Sequence, residues 1–223
     1  MRTAFEDFVR EQNEIYGKFR RLAEKAKHEG IKHDPFMDIQ SFLISLIHGE
    51  QVTEQVASFS ERLRGVVPAV IQPQDTYHTT ISNYGVEQLN NGIYDKDTAD
   101  TLCGIANRIQ INGRVEIDFP GWLYNQTTLI VEGHPNEPFS SLAGQINSYG
   151  GEVGIELKLP WGGHITIARF LERKRPEEIT DFFRLMKEAP RIGLSKPTHI
   201  KVGYQKLNSE GFSYDTIELF RLK

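Results

Sequence analysis

The chain predicts an α+β fold of two similar lobes, and three observations carry that prediction. Strand-like and helix-like stretches alternate from residue 41 onward. Their order repeats coarsely: strand, helix, His-x-Thr strand, helix, then strands, helix, His-x-Thr strand, helix. The two His-x-Thr segments, Tyr77-His78-Thr79-Thr80-Ile81 and Gly163-His164-Ile165-Thr166-Ile167, lie 86 residues apart, far enough to occupy the two halves of one domain.

Each element has its own warrant. Over residues 3–29, Phe5, Phe8, Val9, Ile15, Phe19, Leu22, Ala23 and Ala26 recur near a 3.6 period, and Gly30 ends the run: an amphipathic helix. Asp34-Pro35 breaks the chain. Residues 42–47 form a buried strand, and Val52, Val56, Phe59 and Leu63 space a helix after Gly49. Residues 66–71, interrupted by Pro68, make at best an edge strand. Residues 77–84 are the first histidine strand. Residues 97–109 are helical, capped by Asp97 or Thr98. Residues 115–119 and 127–131 read as strands, and 138–148 as a helix closed by Gly150-Gly151. His134, within Gly133-His134-Pro135-Asn136, reads as a turn residue. The second histidine strand spans 164–170, and 176–187 is helical with Pro176 or Glu177 near its first turn. Strands 200–207 and 212–222 close the chain around the turn 208–211.

Composition limits the function classes. With 223 residues, 39% hydrophobic and 25% charged, this is an ordinary globular chain with room for one large domain or two small ones. Charges in the first seven residues stand where a signal peptide needs its apolar core. The longest aliphatic run, 42–47, is too short to cross a bilayer, so no membrane association is expected. The lone Cys103 excludes an intrachain disulfide, fits a reducing cytoplasm, and reads as a core filler rather than a nucleophile. A net charge of −4 argues against duplex DNA, and Arg173-Lys174-Arg175 reads as a solvated loop. A small ligand or the end of a nucleic acid suits this balance, and the chain is expected to act as a monomer.

The motifs suggest a chemistry. Residues two apart on a strand share a face, so each segment sets an imidazole beside a hydroxyl. Two imidazoles across a cleft can take a proton on one side and give one on the other, while two hydroxyls hold an anionic oxygen. Chance supplies fewer than one His-x-Ser/Thr match in a chain with 7 histidines. The competing reading is two strand histidines bonded to their neighbours. His28, His33, His48, His134 and His199 have no such companion.

His78-Thr79-Thr80 and His164-Ile165-Thr166, the latter continuing into Ile167-Ala168-Arg169, resemble the paired motifs of the two-histidine (2H) phosphoesterase superfamily. The nearer resemblance is to its LigT-like branch of 2′,3′-cyclic phosphodiesterases, also called 2′-5′ RNA ligases. It covers residues 41–223 and leaves 1–40 as an N-terminal helical extension. The resemblance implies a bilobal fold: two antiparallel sheets flanked by helices, a central cleft and pseudo-two-fold symmetry. It also implies catalysis without metal or cofactor, with His78 and His164 as the acid–base pair, Thr80 and Thr166 on the phosphate, and a nucleotide or RNA end as substrate. Two features depart from the pattern: the extension, and Thr79, where an apolar residue is usual and a buried hydroxyl would need a partner.

Further candidates surround the motifs. Strict alternation sends Arg169 away from His164, whereas the resemblance places it on phosphate; a surface ion pair is its other reading. Ser82 and Tyr84 continue the His78 face. Trp122, Tyr124 and Trp161 could stack on a base or pack in the core, and Tyr84 and Trp161 are the nearer substrate-binding candidates. No Cys/His spacing suggests zinc and no glycine-rich phosphate loop is present. The leading expectation is a phosphodiesterase acting on a 2′,3′-cyclic phosphate or a 2′-5′-linked nucleotide in RNA processing. A 3′-5′ RNA-end exonuclease, a cyclic-nucleotide hydrolase and a non-catalytic nucleotide-binding module compete with it.

Overall fold

Residues 3–35, 38–85 and 94–222 are described in the computed structural model, and all elements below belong to them. Helix α1 (Ala4–Glu29) starts where the period places it. Thr3 Oγ1 accepts from Glu6 N at 3.2 Å and the Glu6 carboxylate accepts from Thr3 N at 2.7 Å, a reciprocal cap. Gly30, at φ 79°, ends it against Lys174, where a Cβ would lie 1.8 Å from the Lys174 carbonyl oxygen. No helix of the described residues is long and apolar enough to cross a membrane.

Nine strands follow: β1 (Ile39–Ile47), β2 (Ala69–Ile71), β3 (His78–Tyr84), β4 (Ile117–Tyr124), β5 (Thr128–Pro135), β6 (Ile165–Phe170), β7 (Gly193–Ser195), β8 (His199–Asn208) and β9 (Gly211–Arg221). Their order is β7-β4-β5-β6-β3-β1-β8-β9, antiparallel throughout, with β2 added along β6. The two expected sheets are thus two four-stranded halves that meet at one register pair, Thr79↔Ile165. Those are the middle residues of the two motifs. An antiparallel pair has a local two-fold axis, so the pseudo-symmetry axis runs between the histidine strands, each the innermost of its half.

Helices α2 (Glu50–Glu61), α3 (Lys96–Asn107), α4 (Glu137–Glu152) and α5 (Thr180–Lys187) complete the fold. Three local expectations change. Asp95 caps α3 in place of Asp97 or Thr98, its carboxylate accepting from Thr98 N at 3.0 Å. Gly150 and Gly151 stay inside α4, because Gly150 packs so closely that a Cβ would meet Leu157 at 2.8 Å. His134 belongs to β5, opposite Asp118, and is no turn residue. Strand β7, three residues long, is too short to show a period in the sequence.

Helix α1 packs against β4 and α4. Across the sequence, Gln12 Oε1 accepts from Gly163 N at 3.0 Å and the Tyr16 hydroxyl donates to the Gly133 carbonyl at 2.9 Å. The expected extension therefore leans directly on the turn that leads into the second histidine.

Candidate active site

Two β-bulges build the cleft. In the β1–β3 ladder Ser45 pairs with Thr80 and Ile44 with Ser82, leaving Ile81 as the extra residue. In the β5–β6 ladder Ile130 pairs with Thr166 and Leu129 with Ala168, leaving Ile167 as the extra residue. An extra residue reverses the alternation that follows it. Both isoleucines are fully buried. Beyond them Asn83 and Arg169, each five residues after its histidine, turn to the face that carries the motifs.

The cleft between the halves is lined by His78, Thr80 and Asn83 from β3 and by His164, Thr166 and Arg169 from β6 and the turn before it. Gln72 lies beside them, and Lys158, Leu159, Pro160 and Trp161 form one rim while Leu207 and Phe212 stand on another. Both imidazoles and both hydroxyls thus share one cavity. Tyr84 does not: the Ile81 bulge turns it onto the main core, and Ser82 is buried with its hydroxyl on the Lys158 carbonyl at 2.9 Å. Trp122 and Tyr124 are core residues. Trp161 reaches the cleft and stacks on His164, ring centroids 3.8 Å apart at 19°, with Phe19 of α1 stacked on it in turn.

The imidazoles are held differently. His78 Nδ1 lies 2.7 Å from the Thr76 carbonyl, an acceptor, so Nδ1 carries the proton and neutral His78 keeps its Nε2 lone pair free. Its ring lies against Tyr214, centroids 4.7 Å apart. Burial pulls its pKa down to about 4, the Thr76 carbonyl opposing and the Lys201 ammonium adding to the fall. His164 falls to about 3 through burial first, then the charges of Arg169 and His78. Its Nδ1 is buried without a hydrogen-bond partner. Gly162 and Gly163 fix the approach to His164: a Cβ on Gly163 would meet Pro135 at 2.7 Å, and one on Gly162 would meet the Tyr16 hydroxyl at 3.0 Å.

The Thr79 hydroxyl has partners. It donates to the Gly163 carbonyl at 3.3 Å and lies 3.0 Å from His48 Nε2, while His48 Nδ1 lies 2.8 Å from Ser195 Oγ. The chain of donors is consistent in one direction, Ser195 to His48 to Thr79 to Gly163, so every polar group in this buried junction is satisfied. His48, pulled down to about 3 by burial and the His78 charge, is neutral there.

These buried histidines set a pH prediction. Unfolded imidazole protonates near 6.5. Between that value and the lowered folded values the unfolded chain binds more protons, so stability is complete above about pH 6.5 and falls as pH drops through the window. Each of His48 and His78 should contribute a slope of up to about 1.4 kcal/mol per pH unit. Urea unfolding followed from about pH 7 to about pH 4 checks this, and a flat profile refutes it.

Arg169 combines both readings of its sequence context. Its guanidinium donates from Nη1 to Asp34 at 2.8 Å and to Thr128 at 3.2 Å, and Asp34 is fully buried. Its Nε is buried without a hydrogen bond, as is Gln72 Oε1. Among the described residues, the three buried side-chain atoms lacking a hydrogen bond, on Gln72, His164 and Arg169, all belong to residues lining this cleft. Sequence reasoning missed Gln72 and Asn83, since neither shows a motif. Cys103 packs against the core, and burial raises its thiol to about 12. Among the described residues no group of three or more His, Cys, Asp or Glu side chains is placed to hold a metal ion.

No family model and no curated protein matches the sequence. Solved structures do. TT0787 of Thermus thermophilus matches at TM-score 0.58 and 16% identity, over 82% of this chain and 97% of its own. E. coli LigT, solved with 3′-AMP, matches at TM-score 0.56 and 16% identity, over 83% of this chain and 99% of its own. A crystal structure of a phosphoesterase matches at TM-score 0.55 and 15% identity, over 82% and 99%. With its two half-sheets joined at paired histidine strands, the chain has the LigT-like 2H phosphoesterase fold.

Proposed function

We propose that the chain is a phosphodiesterase that opens a 2′,3′-cyclic phosphate or cleaves a 2′-5′-linked nucleotide or RNA end. The observation that carries this is the placement of His78, Thr80, His164 and Thr166 around one cleft, on strands related by a local two-fold axis. We assign the site chiefly to residues 41–223, with Ile39 of β1 also lining the cleft and α1 supporting the turn before His164. In the neighbouring fold, E. coli LigT has been solved with ATP, 3′-AMP and NADP+, which supports a nucleotide ligand here.

The reaction uses this chain's residues as follows. Thr80 and Thr166 donate hydrogen bonds to the non-bridging phosphate oxygens. One histidine, neutral, takes a proton from water as its oxygen attacks phosphorus. The other, protonated, gives its proton to the departing ribose oxygen, so one P–O bond forms and one breaks. Burial disfavours that protonated state in the free protein, and an anionic phosphate between the two imidazoles restores it. Arg169 adds positive charge on the phosphate side, and Trp161 presents an aromatic face to the ligand.

A panel of 2′,3′-cyclic nucleotides with 2′-5′ and 3′-5′ dinucleotides, assayed with a chelator present, tests the reading. Hydrolysis of the cyclic or 2′-5′ compounds is expected. Turnover of 3′-5′ dinucleotides alone would make the chain an RNA-end exonuclease, and tight binding without turnover a nucleotide-binding module. Val matches the shape of Thr but cannot donate. Thr80→Val or Thr166→Val should therefore cost about 3 kcal/mol of transition-state stabilisation, read as a fall in kcat/KM.

A further inference from the structure

Gln72 is 5% exposed, lines the cleft, and leaves its carboxamide oxygen buried without a hydrogen bond. Burying a polar oxygen unpaired is costly, so such an atom in a cleft marks a group that a ligand or water completes. Backbone register locates it. Gln72 follows β2, which lies along the same edge of β6 as β3 does, and its N–H donates to the Ile167 carbonyl at 2.8 Å. Ile167 is the bulged residue directly after Thr166. Gln72 therefore lines the cleft beside the residue that follows Thr166.

We propose that Gln72 positions the attacking water, accepting a hydrogen bond from it through Oε1. The inference rests on the phosphodiesterase reading above. An ionised phosphodiester offers only acceptor oxygens, so a carbonyl oxygen facing it would gain nothing. An attacking water differs, because it carries two protons. The base histidine takes one, and the second needs an acceptor if the oxygen lone pair is to point at phosphorus. The Thr80 and Thr166 hydroxyls and the Arg169 guanidinium act as donors to the phosphate. Gln72 supplies the remaining acceptor. The bonds balance. One water O–H breaks as its proton passes to the base histidine, and the other O–H stays intact and donates to Gln72 Oε1. The water oxygen forms the new P–O bond, and the P–O bond to the departing ribose oxygen breaks as the second histidine protonates it.

An internal ratio tests this. Methanol has one hydroxyl proton, which the histidine takes, so methanolysis of a 2′,3′-cyclic nucleotide to its methyl phosphodiester needs no second acceptor. With the full chain in buffered methanol–water, Gln72→Met should lower hydrolysis about 10- to 100-fold and raise the ratio of methyl ester to monoester at least several-fold. Gln72→Glu, which keeps an acceptor oxygen, should restore the ratio toward the parent value. Calorimetry with adenosine 3′-monophosphate should show little change in product affinity for Gln72→Met. An unchanged partition ratio, or equal loss of both products, overturns the proposal and leaves Gln72 a packing residue. Weakened binding of the nucleotide by Gln72→Met, which removes the amide without adding charge, overturns it in another way, by placing the amide nitrogen on phosphate. A parent protein that yields neither product overturns the phosphodiesterase reading and this inference with it.

Discussion

His78→Ala and His164→Ala should each lower kcat by about two to four orders of magnitude, and the double variant should be little worse than either single one. Acid–base catalysis contributes roughly 10² to 10⁴ per group, and groups that act as a unit do not add. The geometry supports a unit, since both side chains line one cleft and their strands meet at Thr79↔Ile165. The variants should differ in stability. Removing His78 breaks its bond to the Thr76 carbonyl and empties space against Tyr214, whereas removing His164 loses its stack on Trp161. Thermal unfolding alongside turnover separates the two effects. Near-normal kcat in either folded single variant would refute the assignment. Because burial holds both free imidazoles low, kcat/KM of the parent should already fall as pH rises above about 4, where a histidine acting as acid in the free protein would lose its proton.

Arg169→Ala should unfold more easily than the parent by about 3 kcal/mol, a large share of a typical domain's stability. The reason is Asp34. Its carboxylate is fully buried and receives the Arg169 Nη1 proton at 2.8 Å, so deleting the guanidinium strips a buried charge of a principal partner. The guanidinium is about a quarter exposed, which keeps the cost near the low end of the range for buried pairs. Asp34→Asn in the same background should recover part of the loss, because the uncompensated charge is gone. Phosphate binding is a separate matter. Arg169→Lys keeps a cation but cannot reach Asp34, Thr128 and a ligand oxygen with one fork, so product affinity should fall with a smaller change in stability. Denaturant unfolding and product inhibition across the three variants test the pair. Parent-like stability of Arg169→Ala would show that the ion pair contributes little.

Much of this molecule follows from periodicity. A 3.6 repeat and a capping threonine specify α1, and a repeat of two places His78 with Thr80 and His164 with Thr166. That pairing was legible because both bulges lie after the threonines, where the local pattern is still intact. Past Ile81 and Ile167 the repeat of two misleads: it points Tyr84 into the cleft and Arg169 out of it, and the structure does the reverse. A bulge is a mismatch between two strands, so it is defined by the partner's register and leaves no period in one strand alone. The same limit applies to the His48, Thr79 and Ser195 junction, and to Gln12 beneath Gly163. These groups come from distant segments, and each needs its partner because water is excluded where they meet. Local sequence set which residues could share a face. Tertiary packing decided which faces met, because only burial makes an unpaired polar group costly enough to select one arrangement.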